Sequence, residues 1–192
     1  MRLTGRTLAI VVSAALVCVA TIAVSAVRSN HAADGRAPRA LHPVWAEANW
    51  PFPVDPWGKG KAFRCKAADC GSEVQLYVRA KLGFCNCATG IADDTDLEQM
   101  GDLAMIGGQA KPIGAGRPIT VGIMQGRARA YGISGTQSQS ETAISLAYNQ
   151  RCDMVAATVL LQHDAPASVE PAVLAFLNSD AMRKWAEITL GL

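Results

Sequence analysis

The sequence predicts an α+β domain: an antiparallel sheet with C-terminal helices packed on one face, preceded by an N-terminal signal or anchor helix. Three observations predict it. A long apolar segment opens the chain. Short segments with alternating apolar and polar residues fill its middle, as is typical of strands with one buried face. Two helix-like segments follow at the end, and this strands-then-helices order favours an antiparallel sheet.

The apolar segment indicates export. Arg2 and Arg6 precede 20 residues, Leu8 to Val27, that contain no charge and no proline. Residues 1–27 therefore resemble a secretory signal, with a cut site at Val24-Ser25-Ala26. The same run is long enough to cross a bilayer as a helix. Both interpretations place the remainder in the periplasm of a Gram-negative-type bacterium, either anchored in the inner membrane or released by cleavage.

Composition divides the remainder into a tether and one domain. Residues 28–44 are polar, contain prolines and predict a flexible tether; residues 45–192 are long enough for a single domain. The first 44 residues hold five of the 18 basic and one of the 16 acidic residues. Residues 45–192 therefore carry 13 basic and 15 acidic residues, a net charge of −2. Because such a domain has no basic field, we expect no nucleic-acid partner.

Alternation locates the strands. The clearest strand is Glu73–Lys81, with small apolar residues on one side and Tyr77, Arg79 and Lys81 on the other, where we expect water. Residues 107–118 are rich in glycine and proline and predict a loop. Further strands are predicted at 119–123, 127–133, 142–148 and 152–161. The last of these is nearly all apolar, as expected of a central strand, although one helix over 141–161 is the alternative.

Helix signals are clearest near the C-terminus. Ser168 predicts the start of one helix, and Asn178 or Ser179 the start of a second that Gly191 ends. A shorter helix is predicted within residues 89–105. Its acidic cluster is better suited to capping a helix than to binding Ca²⁺, because the glycine and the late glutamate of a calcium loop are missing. That cluster is Asp93, Asp94, Asp96 and Glu98.

The candidate sites are cysteines. Five follow the apolar segment, and outside the cytosol they mostly oxidise to disulfides. Five thiols allow at most two disulfides. The spacing leaves open whether Cys65 and Cys70 bond to each other or to Cys85 and Cys87. We expect Cys152 to be a buried, unpaired residue on the central strand.

Two alternatives use the same sulfurs. Cys65, Cys70, Cys85 and Cys87 could give four thiolates to one zinc ion, and Cys85 with Cys87 suits Cu(I). That pair also suits thiol–disulfide exchange. The spacing differs from a zinc ribbon, and no thioredoxin-like context surrounds the pair. We therefore predict structural disulfides and no cofactor, in preference to these two alternatives.

Aromatic residues suggest a docking segment. Trp50, Phe52 and Trp57 are each next to at least one of three prolines, which favour an extended chain over residues 45–58. We interpret this stretch as an aromatic strap that packs on the core; the alternative is that these three residues dock a partner.

Catalysis receives little support from the sequence. His163 is the only histidine beyond the tether, and no serine lies in a nucleophile-elbow context. We therefore expect a non-enzymatic accessory or binding protein. Its predicted partners are the inner membrane, through residues 8–27, and an unidentified envelope protein.

Overall fold

A seven-stranded antiparallel sheet, in the order β1-β2-β3-β7-β6-β5-β4, organises the protein. The computed structural model describes residues 42–83, 87–135, 141–162 and 169–192, which belong to one compact unit, Leu41–Leu192. The signal or anchor segment, most of the tether, Cys85, His163 and Ser168 lie outside the described residues. The strands are β1 (Trp45–Ala48), β2 (Lys61–Cys65), β3 (Val74–Lys81), β4 (Gln109–Val121), β5 (Met124–Ser134), β6 (Glu141–Gln150) and β7 (Asp153–Gln162).

The described helices include the three that the sequence predicts and a short one before β3 that it does not predict. They are α1 (Ala67–Cys70), α2 (Asp94–Met100), a 3-10 helix (Leu103–Ile106), α3 (Val169–Leu177) and α4 (Asp180–Leu190). Asp93 caps α2 in a capping box with Asp96, and Ser179 caps α4, which ends at the left-handed Gly191. None of the helices in the described part is long and apolar enough to cross a membrane.

The main core lies between α3, α4 and one face of the sheet, here called the first face. Val74, Leu76 and Val78 of β3 point into it, and Val173 and Leu177 of α3 pack against that face. Met182, Ala186 and Leu190 of α4 complete the layer at helical spacing. This arrangement confirms the predicted α+β class, with the C-terminal helices on one face of an antiparallel sheet.

The predicted strands agree most closely with the structure in the centre of the sheet. β7 is the middle strand, as its apolar sequence predicts, so the alternative of one helix over residues 141–161 is wrong. The prediction of a loop at 107–118 is also wrong, because these residues form most of β4. β4 is an edge strand with a bulge between Ile113 and Arg117, and edge strands tolerate proline and glycine.

The opposite side of the sheet, here called the second face, differs from the expectation of a wet surface. Arg79 and Lys81 are each only 4% exposed. Leu97 and Met100 of α2 pack over β6 and β7, and Leu103 and Ile106 of the 3-10 helix pack over β5 and β6. The alternation along β3 therefore separates an apolar buried face from a second buried face that carries Arg79 and Lys81.

Candidate functional site

The first disulfide closes a short loop at the start of β3. Cys65 ends β2 and Cys70 ends α1, and their sulfurs are bonded across a Cα–Cα distance of 6.0 Å. Both residues are buried in the main core. The structure thus contains one of the two pairings that the spacing leaves open.

The second disulfide corrects the prediction for Cys152. This residue lies in the two-residue turn between β6 and β7 and is bonded to Cys87, so it is neither unpaired nor inside the central strand. Arg151, beside it in the turn, has a φ of 56°. Sequence spacing misses the bond because its partners are 65 residues apart. Together the two bonds confirm a disulfide-stabilised domain.

The two disulfides lie at opposite ends of β3. Cys65 pairs with Val74 at its start, whereas Lys81 at its end pairs with Met154, two residues beyond Cys152. Seven steps along a strand span about 23 Å. Cys65 and Cys70 are therefore far from Cys87 and do not form a shared four-thiolate site with it. Across the described ranges, no three His, Cys, Asp or Glu side chains are close enough to hold a metal ion.

A buried ionic cluster occupies the second face beneath the aromatic strap. Asp102, 4% exposed, lies 2.5 Å from Arg79 Nε and 2.7 Å from Lys81 Nζ. Arg79 also donates to Asp55 of the strap at 2.6 Å. The pKa of Asp55 lies below its ordinary value mainly because of this hydrogen bond, although desolvation acts in the opposite direction. The cluster therefore ties β3 to the strap and to the segment between α2 and the 3-10 helix.

A second group of ion pairs holds α2 against β4 and β5. Asp94 accepts from Arg127 and from the Gly116 backbone N–H at 3.0 Å, and Arg129 donates to Glu98 at 2.8 Å. The Gly116 bond is the largest cause that lowers the pKa of Asp94. The acidic residues of α2 thus contact arginines of the sheet, in addition to capping the helix.

The aromatic docking candidates divide into two groups. Trp50 and Phe52 pack edge-on against Tyr77 of β3, with ring centroids 6.1 and 4.8 Å away. They are half-buried, as expected of an aromatic strap. Trp57 instead lines an open cleft at the end of the strap.

The cleft lies between the strap and α4 and has a volume of about 440 Å³. Trp57 borders it on the strap side and Trp185 on the α4 side. Lys59 and Lys61 are the charged residues of its lining, and no carboxylate of the described residues lines it. Lys61 pairs with Glu47 outside the lining at 3.0 Å. The arrangement offers two aromatic surfaces beside positive charge.

A smaller cavity of about 280 Å³ lies on the second face between α2 and β5. Its walls are mainly apolar, from Leu97, Leu103 and Pro112, with Glu98 contributing a carboxylate. The hydroxyls of Tyr131 and Ser145 have almost no accessible surface. This cavity therefore offers fewer groups that recognise a ligand than the cleft does.

Three residues of these sites have no clear signal in the sequence, namely Arg79, Asp102 and Trp185. Trp185 has the helical spacing of a core residue, and nothing in the sequence indicates that it lines the same cleft as Trp57. Arg79 alternates like a solvent-facing residue of β3. One usable signal is that Arg79 and Lys81 share a strand face with Tyr77. Cations on such a face need acidic partners if the face is buried.

Comparisons with known proteins yield no match to this chain, either among protein-family models or among curated proteins.

Proposed function

We propose that this chain is an exported, non-enzymatic binding protein of the bacterial envelope, stiffened by two disulfides. The observation that carries the proposal is the pair of bonds Cys65–Cys70 and Cys87–Cys152, which use four of the five cysteines after the apolar segment. Disulfides form and persist in oxidising compartments such as the periplasm. Residues 8–27 supply a matching signal or inner-membrane anchor.

Binding suits the cleft better than catalysis does. Trp57 and Trp185 contribute apolar surface, and Lys59 and Lys61 contribute charge. Among the described residues of the lining, no nucleophile lies beside a general base, as covalent catalysis requires. Ligand sites typically combine aromatic side chains with a few polar groups, which is the composition of this cleft.

Fractionation and thiol labelling test the proposal. The full chain is produced in a Gram-negative host, free thiols are blocked, and the protein mass is measured before and after reduction and a second labelling. We expect the protein in the envelope fraction, with four cysteines that label only after reduction. A cytoplasmic protein whose thiols all label without reduction contradicts the proposal. The intact mass also shows whether residues 1–26 are removed.

A second candidate function is thiol–disulfide exchange at Cys87, in the sequence neighbourhood of Cys85. It is favoured by the exposure of Cys87, because exposed disulfides are more easily attacked. Its test is the reduction potential of the Cys87–Cys152 bond. A structural bond lies below about −300 mV, whereas a value between about −230 and −120 mV is typical of exchange proteins. Metal analysis of the same sample tests for bound copper or zinc.

A further inference from the structure

We propose that the cleft between Trp57 and Trp185 binds a small ligand that carries a carboxylate on a ring with an apolar face, such as an aromatic acid or an acidic sugar. The inference rests on the proposed binding function and deepens it by naming the chemistry of the ligand. Three observations support it: the size of the cleft, the two tryptophans in its lining and the sign of its charge.

Size favours a small molecule over a protein partner. The cleft of about 440 Å³ falls within the range of about 300–1,000 Å³ that is usual for ligand pockets. Nine described residues line it. A standard protein interface uses about 20–30 residues on each side. The cleft alone is therefore too small to be such an interface.

The tryptophans favour a ligand with a flat face. Trp57 and Trp185 belong to different elements, the strap and α4, and both are half-buried. An indole held in place by packing offers a large rigid surface, and planar groups gain contact energy by stacking on it. Ala80 of β3 and Leu82, just beyond the end of that strand, add apolar surface to the lining.

Charge favours an anion. Lys59 and Lys61 line the cleft, and Lys81 Nζ lies 5.9 Å from the centre of the Trp57 ring. Asp102 lies 2.7 Å from Lys81, and Glu47 lies 3.0 Å from Lys61, which leaves Lys59 as the exposed cation of the lining. Asp55 accepts from the Trp57 backbone N–H at 2.9 Å and is itself paired with Arg79. A carboxylate in the cleft would therefore be attracted mainly by Lys59, and by Lys61 when it turns from Glu47.

The direct test compares acids with their neutral counterparts. Benzoate is compared with benzamide, and glucuronate with glucose, by titration against the indole fluorescence of the purified protein and by ligand-observed NMR. We expect saturable binding of at least one acid, at least about 5-fold tighter than its neutral counterpart, and weaker at high salt. Benzoate and glucuronate distinguish an aromatic acid from a sugar as the source of the ring.

Variants locate the binding. Lys59→Gln should weaken acid binding about 3-fold, and Trp57→Ala about 10-fold. Glu47→Gln should strengthen it about 2-fold, because Lys61 loses its competing partner. The matched controls are Lys66→Gln, an exposed lysine outside the cleft, and Trp45→Phe, whose ring stacks on Phe176 at 4.9 Å instead. Neither control should change the affinity.

Three results would overturn the inference: no saturable binding of either acid, equal binding of acids and neutral counterparts, or unchanged affinity in Lys59→Gln and Trp57→Ala. Lys59 is exposed, so its variant remains informative if the tryptophan variant fails to fold. Failure of the proposed function has a different signature, namely a cytoplasmic protein with reduced thiols. An exported, disulfide-bonded protein that binds neither acid refutes the ligand class alone.

Discussion

The guanidinium of Arg79 and the carboxylate of Asp102 form a bidentate ion pair, in which Nε and Nη2 donate hydrogen bonds of 2.5 and 2.7 Å. Both side chains are almost completely buried on the second face of the sheet. The paired geometry matters because an isolated buried charge is costly, and two parallel hydrogen bonds offset much of the cost of removing both groups from water.

Asp102→Asn should destabilise the fold by about 3–5 kcal/mol. The change keeps the shape of the side chain but leaves the buried cations of Arg79 and Lys81 without their shared carboxylate. Urea unfolding measures the difference in the free energy of unfolding. The matched control is Glu47→Gln, which breaks an exposed pair with Lys61 and should cost no more than about 0.5 kcal/mol. Equal effects of the two variants would refute a structural role for the buried cluster.

Removing the two disulfides separately should have unequal effects. Cys87 and Cys152 are 65 residues apart, whereas Cys65 and Cys70 are only five apart. A disulfide that closes a longer loop removes more entropy from the unfolded chain. Replacing both Cys87 and Cys152 by alanine should therefore lower the free energy of unfolding by about 4 kcal/mol, and replacing both Cys65 and Cys70 by about 2 kcal/mol. Thermal and urea unfolding of both oxidised variants measure the losses. Equal losses would show that local packing outweighs loop entropy here.

Gly126→Ala should destabilise β5 by about 1–3 kcal/mol through overpacking. An added Cβ would lie 2.0 Å from the Ala147 carbonyl oxygen and 2.5 Å from the Tyr148 Cα. Gly132→Ala is a control in the same strand, because the nearest atom to its Cβ is 3.9 Å away. Calorimetry of the two variants should show a lower melting temperature for Gly126→Ala only. A similar decrease in both would indicate a general cost of replacing glycine in this strand.

The stabilising effect of Asp94 should disappear in acid. The Gly116 N–H and Arg127 lower the pKa of Asp94 from its ordinary value of 3.8, so folding favours the charged form. Its contribution is therefore present above pH 3.8 and is lost as the pH falls through the lower folded pKa. The free-energy difference between the wild type and Asp94→Asn, measured by urea unfolding at pH 6 and pH 2.5, should shrink in acid. A constant difference across both pH values would contradict this linkage.

Local pattern predicts most of the fold but only part of the candidate site. The alternation in β3 and β6, the apolar run of β7 and the caps at Asp93 and Ser179 depend on neighbouring residues, so the sequence reveals them. Most of β4, residues 109–118, is predicted wrongly as a loop because an edge strand accepts glycine and proline, which elsewhere indicate loops. Trp57 is a candidate from its sequence, whereas Trp185 becomes one only when α4 packs beside the strap.

The sequence by itself determined the α+β class, the C-terminal helices and the use of cysteines as cross-links, since periodicity, capping and residue chemistry act over a few neighbouring positions. Only the tertiary structure decided that Cys87 bonds to Cys152, that Asp102 lies beside Arg79 and that Trp57 shares a cleft with Trp185. Each of these pairs joins residues more than 20 positions apart. Their proximity depends on how the strands and helices pack, which no short stretch of sequence encodes.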